Sequence, residues 1–375
     1  MSVIGNITLT FSDEQAMILD TAREFCRDKS PIDAVRAQLD SESGFDPAIW
    51  NEMVALGWTG ISIPEAYGGS GLGVSSLVPV VECMGRAMLG TPLVSSALAG
   101  QLILRSGNTE QLDSLLPGIA EGTTATMATL ESGDWGAKKI SSMLDDNLQL
   151  SGVKKFVSDA GVAKVFVVSV MHKGAVALAI VRADQLSAGA ISANTLIDET
   201  KRSSSVNFGG VSVDANNVIT GDKIVKALHD VALLGALLIA AEAAGTTGAC
   251  LDTVVEYLNT RKQFGNLIGS YQALKHPMVE ILTSNDSARS FIYHAATLVS
   301  DDALDQDSEL ACRMAKAQAT DTLKYAGDRA VQFHGGMGFT YECNAQLYIR
   351  RAQWSQQQFG DAQHHRKRIA ALLLD

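Results

Sequence analysis

Apolar residues recur at helical spacing in the first third of the chain and again in its last two-fifths, with strand-like runs between them. Met17, Ile18, Ala22 and Phe25 follow Ser12-Asp13-Glu14-Gln15, a capping-box opening, and predict an amphipathic helix. Trp50, Met53, Val54 and Leu56 predict a second, started at Asp46-Pro47 and stopped at Gly57. A glycine-rich loop over 64–71 matches neither a P-loop nor a dinucleotide fingerprint. Helical spacing then resumes over 75–88, 95–106 and 109–116, the last ended by Pro117.

The texture changes near Thr123. Short runs rich in β-branched residues, at 124–129, 148–150, 154–158, 165–170, 176–181 and 205–208, predict strands between turn signals. No helix-length segment separates them, so an antiparallel barrel or sandwich is expected rather than a parallel Rossmann sheet. From Lys223 the helical period returns, predicting helices over 223–260, 271–301, 307–333, 342–357 and 362–373. The expected fold class is α+β in three parts: an N-terminal all-α domain (1–122), a middle β domain (123–222) and a C-terminal helical bundle (223–375).

Composition narrows the function classes. The 375 residues are 46% hydrophobic and 19% charged, too apolar for a disordered chain. A net charge of −11 argues against a nucleic-acid or anionic-membrane surface. The most apolar run, Val231 to Ala244, is short for a membrane span and is interrupted by Glu242, which favours a buried helix. The five cysteines are dispersed and form no CxxC, so neither a metal site nor a disulfide framework is expected. No signal-peptide pattern opens the chain, and a cytoplasmic location is the expectation.

The chemistry concentrates at Thr260–His276. Arg261 can grip a pyrophosphate through two parallel hydrogen bonds, Gln263 can pair with a polar edge, Phe264 can pack on a ring, and Gly265 allows the turn. That set suits a flat, anionic cofactor; basic residues and a glycine after a helix are also ordinary capping. The same motif, with Gln272 and His276, resembles the acyl-CoA dehydrogenase family of flavoproteins. So do Gln332-Phe333-His334-Gly335-Gly336-Met337-Gly338-Phe339 and the N-terminal Leu56-Gly57-Trp58, Ile63-Pro64-Glu65 and Tyr67-Gly68-Gly69-Ser70-Gly71, all in family order.

The resemblance implies FAD held between the β domain and the C-terminal bundle and completed by a neighbouring subunit. Arg261 would reach the FAD pyrophosphate across that interface, flanked by Gln263 and Phe264, and Gln332 and Gly336 would contact its adenosine half. Leu130, Phe156 and Ser158 would border the flavin ring, and His334 would pack or hydrogen-bond. The shortened turn at Ser132-Gly133-Asp134-Trp135 departs from the family. The implied reaction is α,β-desaturation of an acyl-CoA: a carboxylate removes the α-proton and the β-hydrogen leaves as hydride to FAD, with an electron-transfer flavoprotein as acceptor. The family's base falls at Phe359 or Gly360, or else near Gly235, and none of these is an acid. Asp361 and Glu242 are the nearest carboxylates and the candidate catalytic residues. Asp361 could equally cap a helix, and Glu242 could pair with a buried polar group. Three readings stay open: a homomeric dehydrogenase (a tetramer or dimer), a base-less subunit of a mixed assembly, and a flavin oxidase or monooxygenase on the same fold.

Overall fold

The computed structural model describes residues 13–132, 139–300 and 303–374. Ser12 of the capping box and most of the shortened turn lie outside them. The N-terminal helices are α1 (Asp13–Lys29), α2 (Ile32–Ala37), α3 (Pro47–Ala55), α4 (Leu77–Arg86), α5 (Leu93–Ser106) and α6 (Thr109–Ala120). Asn108 and Gln111 start α6 by capping each other's backbone N–H groups. That helix runs past Pro117 to Ala120, because a proline in the last turn costs one hydrogen bond and not the helix.

Ten strands follow among the described residues: β1 (Ala125–Ala128), β2 (Met143–Leu144), β3 (Gln149–Ser151), β4 (Val153–Ser158), β5 (Val165–His172), β6 (Ala175–Arg182), β7 (Ile191–Ala193), β8 (Ser203–Asn207), β9 (Val211–Ser212) and β10 (Val218–Ile219). One sheet runs β10-β6-β5-β2-β3-β9, a second β4-β8-β7. Most pairs are antiparallel, as expected; β1 and β2 run parallel to β5. Both lie on the same edge of β5, β1 against Val165–Val168 and β2 against Met171 and His172, like one strand interrupted by an excursion. The interior of this layer is apolar, with the Phe166 and Phe208 rings edge to face at 5.8 Å.

The C-terminal part comprises α7 (Lys223–Thr260), a small hairpin of β11 (Lys262–Gln263) and β12 (Asn266–Leu267), α8 (Gln272–Leu298), α9 (Gln306–Phe333), α10 (Ala345–Gln357) and α11 (Ala362–Leu374). At 38 residues α7 is about 57 Å long. Length and composition alone would let it cross a membrane, but 72% of its most apolar window is buried in the fold, so it is the core helix here. Small residues bring its neighbours close. A Cβ on Gly85 would come within 2.1 Å of the Glu242 carbonyl oxygen, and one on Gly245 within 1.9 Å of that of Glu82. The Thr246 hydroxyl donates to the Gly85 carbonyl at 2.9 Å. Backbone contact between α4 and α7 thus sets the position of Glu242.

The three parts are tied by polar contacts as well. The Arg202 guanidinium, just ahead of β8, donates to the carbonyls of Gln38 (2.8 Å), Leu39 (2.9 Å) and Ser41 (2.6 Å). Lys316 of α9 is fully buried and donates to the carbonyls of Ser355 (3.0 Å) and Gly360 (2.9 Å), which pins the turn between α10 and α11.

Candidate functional site

All three parts meet at one cavity of about 1080 Å³ including its open mouth. Helices α4 and α5 give it an apolar wall, with Met84 and Leu98. Strand β4 contributes Phe156 and Ser158 and the segment after β1 contributes Leu130, so the three residues expected beside a flavin ring line the same cavity. A bulge produces this. The β4–β8 register shifts between Lys154 and Val157, and Phe156 takes φ +51°, which turns its ring out of the sheet to 47% exposure. Glu131, next to Leu130, faces elsewhere: it accepts from Lys154 at 2.6 Å and from the Ser141 and Ser142 backbone. Burial opposes its charge, but these donors outweigh it and hold the carboxyl well below its usual range.

The two places where a base was looked for prove to be one. Phe359 sits in the turn between α10 and α11 with φ +55°, a conformation L residues seldom adopt. Its ring lies over Gly235 on α7, where an added Cβ would come within 2.5 Å of it. Gly235 is therefore a glycine because the ring needs its space. An aromatic side chain fills the region where either arrangement would put a carboxylate.

Both candidate bases have partners within the fold. Asp361 is exposed, does not line the cavity, and accepts the His364 backbone N–H at 2.7 Å as the N-cap of α11. Glu242 does line the cavity, but as a structural anion. Its Oε1 accepts from Lys201 at 2.6 Å and from the buried Arg351 at 2.5 Å. Burial opposes its charge, yet Lys201 and Arg351 outweigh that and hold its pKa below the ordinary value, which makes it a poorer proton acceptor. Arg351 also donates to Asp198 and to the Thr200 hydroxyl, so one guanidinium joins α7, α10 and the loop before β8. Lys201 further lies 4.7 Å from the Trp354 ring centroid. Sequence reasoning missed this cluster. The available signal was Arg351 itself, one turn beyond Leu347 on the apolar face of α10.

Asp159 was missed too. It lines the cavity beside Ser158, accepts from the Ser95 hydroxyl at 2.6 Å, and has Lys201, Arg202 and Glu242 nearby. Burial pushes its pKa up from 3.8 to about 6. Between those values the folded form holds a proton that the unfolded chain has lost, so the parent loses stability as pH rises through that window. Asp159→Asn keeps an acceptor for Ser95 without titrating. Its melting stability relative to the parent should rise by up to about 3 kcal/mol from pH 4 to pH 6 and stay level above. A flat difference in chemical denaturation across that range would contradict the assignment.

The other expected cofactor residues do not line this cavity. Arg261, Gln263, Phe264, Gln332 and Gly336 are all exposed, Phe264 at 91%. They form one neighbourhood, because the His334 ring stacks on Tyr257 at 4.2 Å and joins the end of α9 to the end of α7. His334 Nδ1 also lies 2.7 Å from the Ala330 carbonyl. Gly265 needs its glycine for φ +79°. Gly336 differs: no positive φ is required, and an added Cβ would meet nothing within 4 Å. Nothing among the described residues explains that glycine, whereas close approach of an outside group would. The expected cofactor residues therefore fall into two separate sets, one lining a cavity and one on the surface.

Comparison with known proteins bears on the family. Residues 12–123 match the acyl-CoA dehydrogenase N-terminal domain, and residues 230–374 the acyl-CoA dehydrogenase C-terminal domain. The acyl-CoA dehydrogenase IpdE2 of Mycolicibacterium smegmatis is 29% identical over 361 residues, covering 96% of this chain and 99% of that protein. The acyl-CoA dehydrogenase FadE12 of Mycobacterium bovis is 30% identical over 318 residues, with 78% and 79% covered. Among solved structures, the Tcur3481-Tcur3483 steroid ACAD superposes with a TM-score of 0.83 at 26% identity, covering 96% of this chain and 98% of that one. With both terminal domains matched and the middle sheet in its place between them, the chain belongs to the acyl-CoA dehydrogenase family.

Proposed function

We propose that this chain is a flavin-binding subunit of a mixed acyl-CoA dehydrogenase, acting in α,β-desaturation of an acyl-CoA while a related subunit supplies the proton-abstracting carboxylate. The observation that carries this reading is the Phe359 ring over Gly235, which leaves no carboxylate at the place of the base. The similar steroid ACAD structure names two components, Tcur3481 and Tcur3483, which supports a mixed assembly. When bound, FAD accepts the substrate's β-hydrogen as hydride. The protein's own part is to bind, orient and exclude water. Leu130, Phe156 and Ser158 border the ring from the cavity. Arg261, with Gln263, Phe264, Gln332 and Gly336, neutralises and embraces the dinucleotide of the neighbouring subunit. An electron-transfer flavoprotein is the proposed acceptor.

The test is anaerobic mixing with a panel of acyl-CoAs while the flavin absorbance is followed. The isolated chain should keep its flavin oxidised, and adding the related subunit should bring bleaching. Bleaching by the isolated chain would sink the proposal. A second expectation concerns Arg261→Gln. The side chain is exposed, so unfolding stability should change by less than about 0.5 kcal/mol. FAD retained by the assembly through gel filtration should fall about tenfold or more, because a charge-assisted pair to the pyrophosphate is lost. Unchanged FAD content would place Arg261 outside the cofactor site.

A further inference from the structure

Of the charged side chains around the cavity, one is left over. Lys155, Lys201 and Arg202 are the cations that line it, and Asp159 and Glu242 are the acids. Both acids already face cations: Asp159 has Lys201 and Arg202, and Glu242 has Lys201 and Arg351. Lys201 donates to Glu242, and Arg202 donates to backbone carbonyls. The Lys155 ammonium has no hydrogen-bond or ion-pair partner among the described residues.

The backbone of β4 puts that ammonium on the cavity side. Neighbours in a regular strand point to opposite faces. Lys154 points inward at 0% exposure and pairs with Glu131, so Lys155 points outward. The bulge then breaks the alternation. Phe156, at φ +51°, points outward as well, and inward packing resumes at Val157. Lys155 and Phe156 therefore share the face that lines the cavity. The Lys155 N–H also donates to the Leu130 carbonyl at 2.7 Å, which sets the residue between Leu130 and Phe156. A phenylalanine at positive φ is strained, and strain of this kind collects at binding sites.

Leu130 and Phe156 are the residues read above as bordering the flavin ring, and the inference rests on that reading. A hydride brings two electrons and one proton, so its arrival makes the neutral oxidised ring singly negative. A fixed cation beside the ring favours that negative form over the neutral one. We propose that the Lys155 ammonium stands against the flavin ring and raises its reduction potential by stabilising the charge gained on reduction. Lys155 is thus a potential-setting residue on the sheet side of the cavity, separate from the arginine expected at the pyrophosphate.

A dye-coupled redox titration of the FAD-loaded protein, without oxygen and at mildly alkaline pH, tests this. Lys155→Met removes the charge and keeps much of the length; Lys155→Arg keeps the charge. Lys155 is exposed, so both variants should fold as the parent does. Lys155→Met should weaken the preference for reduced over oxidised flavin about tenfold or more, a fall in midpoint potential of about 30 mV or more for a two-electron couple. Lys155→Arg should stay within about twofold of the parent, since arginine carries the same charge. An unchanged potential in Lys155→Met would overturn the inference; a fall in acyl-CoA affinity in its place would assign the ammonium to the substrate's phosphates. An equal fall in Lys155→Arg would overturn it as well, because lost fit and not lost charge would be the cause. If the parent takes up no FAD, the placing of the ring fails and this inference fails with it.

Discussion

Phe359→Glu is expected to give the isolated chain a reductive half-reaction that the parent lacks. The new carboxylate would stand over Gly235, in the space the ring now takes. Gly235 leaves room for it, and Lys316 still holds the turn through the Ser355 and Gly360 carbonyls. The apolar surroundings that receive an aromatic ring would raise the proton affinity of a carboxylate there, which suits a base for a weakly acidic α-carbon. A positioned base contributes roughly 10²–10⁴-fold, so acyl-CoA-dependent bleaching should rise from baseline by at least about a hundredfold. The control is Phe359→Gln, with the same length and no basicity, which should stay at baseline. Equal bleaching by the glutamine variant, or none by the glutamate variant with FAD and acyl-CoA both bound, would show that the missing base is not what silences this chain.

Arg351→Met should have the largest effect on stability. The guanidinium is fully buried and joins Asp198, Thr200 and Glu242. Methionine matches much of its volume but leaves Asp198 with only Thr200 and Glu242 with only Lys201. Breaking a buried ion pair from one side costs about 3–5 kcal/mol, a large share of a typical stability margin. The expected result is a clear drop in the denaturant midpoint. Above the pKa of its carboxylates the parent gains from the network: Asp198 and Glu242 are both held below their ordinary values, so that gain fades on acidification. The Arg351→Met penalty should therefore shrink as pH falls through the acid range. A penalty under about 1 kcal/mol, or one independent of pH, would mean that the Arg351 network does not hold the three parts together.

Much of the architecture was legible in the chain. The long helix α7 declares itself by sustained apolar periodicity, and the turn after it by Gly265, though the short hairpin built around that turn was not read. The strands at β5 and β6 are long enough, at eight residues each, to show their composition. By contrast β2, β9 and β10 are two residues long and carry no detectable period. Pairing across the fold was also hidden. Lys201 and Glu242 are 41 positions apart and Arg351 and Asp198 are 153 apart, so no local pattern announces that they meet. The cap at Asp361 was readable, since an aspartate before a helix is an ordinary start. The overlap of Phe359 with Gly235 was not, because it depends on how α7 crosses the turn ahead of α11.

The exposed hairpin bears on how such a protein must be made. Phe264 in the hairpin is 91% exposed, and Phe339 and Met337, just past the end of α9, are 73% and 60% exposed. Apolar surface of this sort invites self-association in water when it has no counterpart. Overproduced by itself, the chain would be prone to clump, and synthesis in step with whatever covers that surface would keep it in solution.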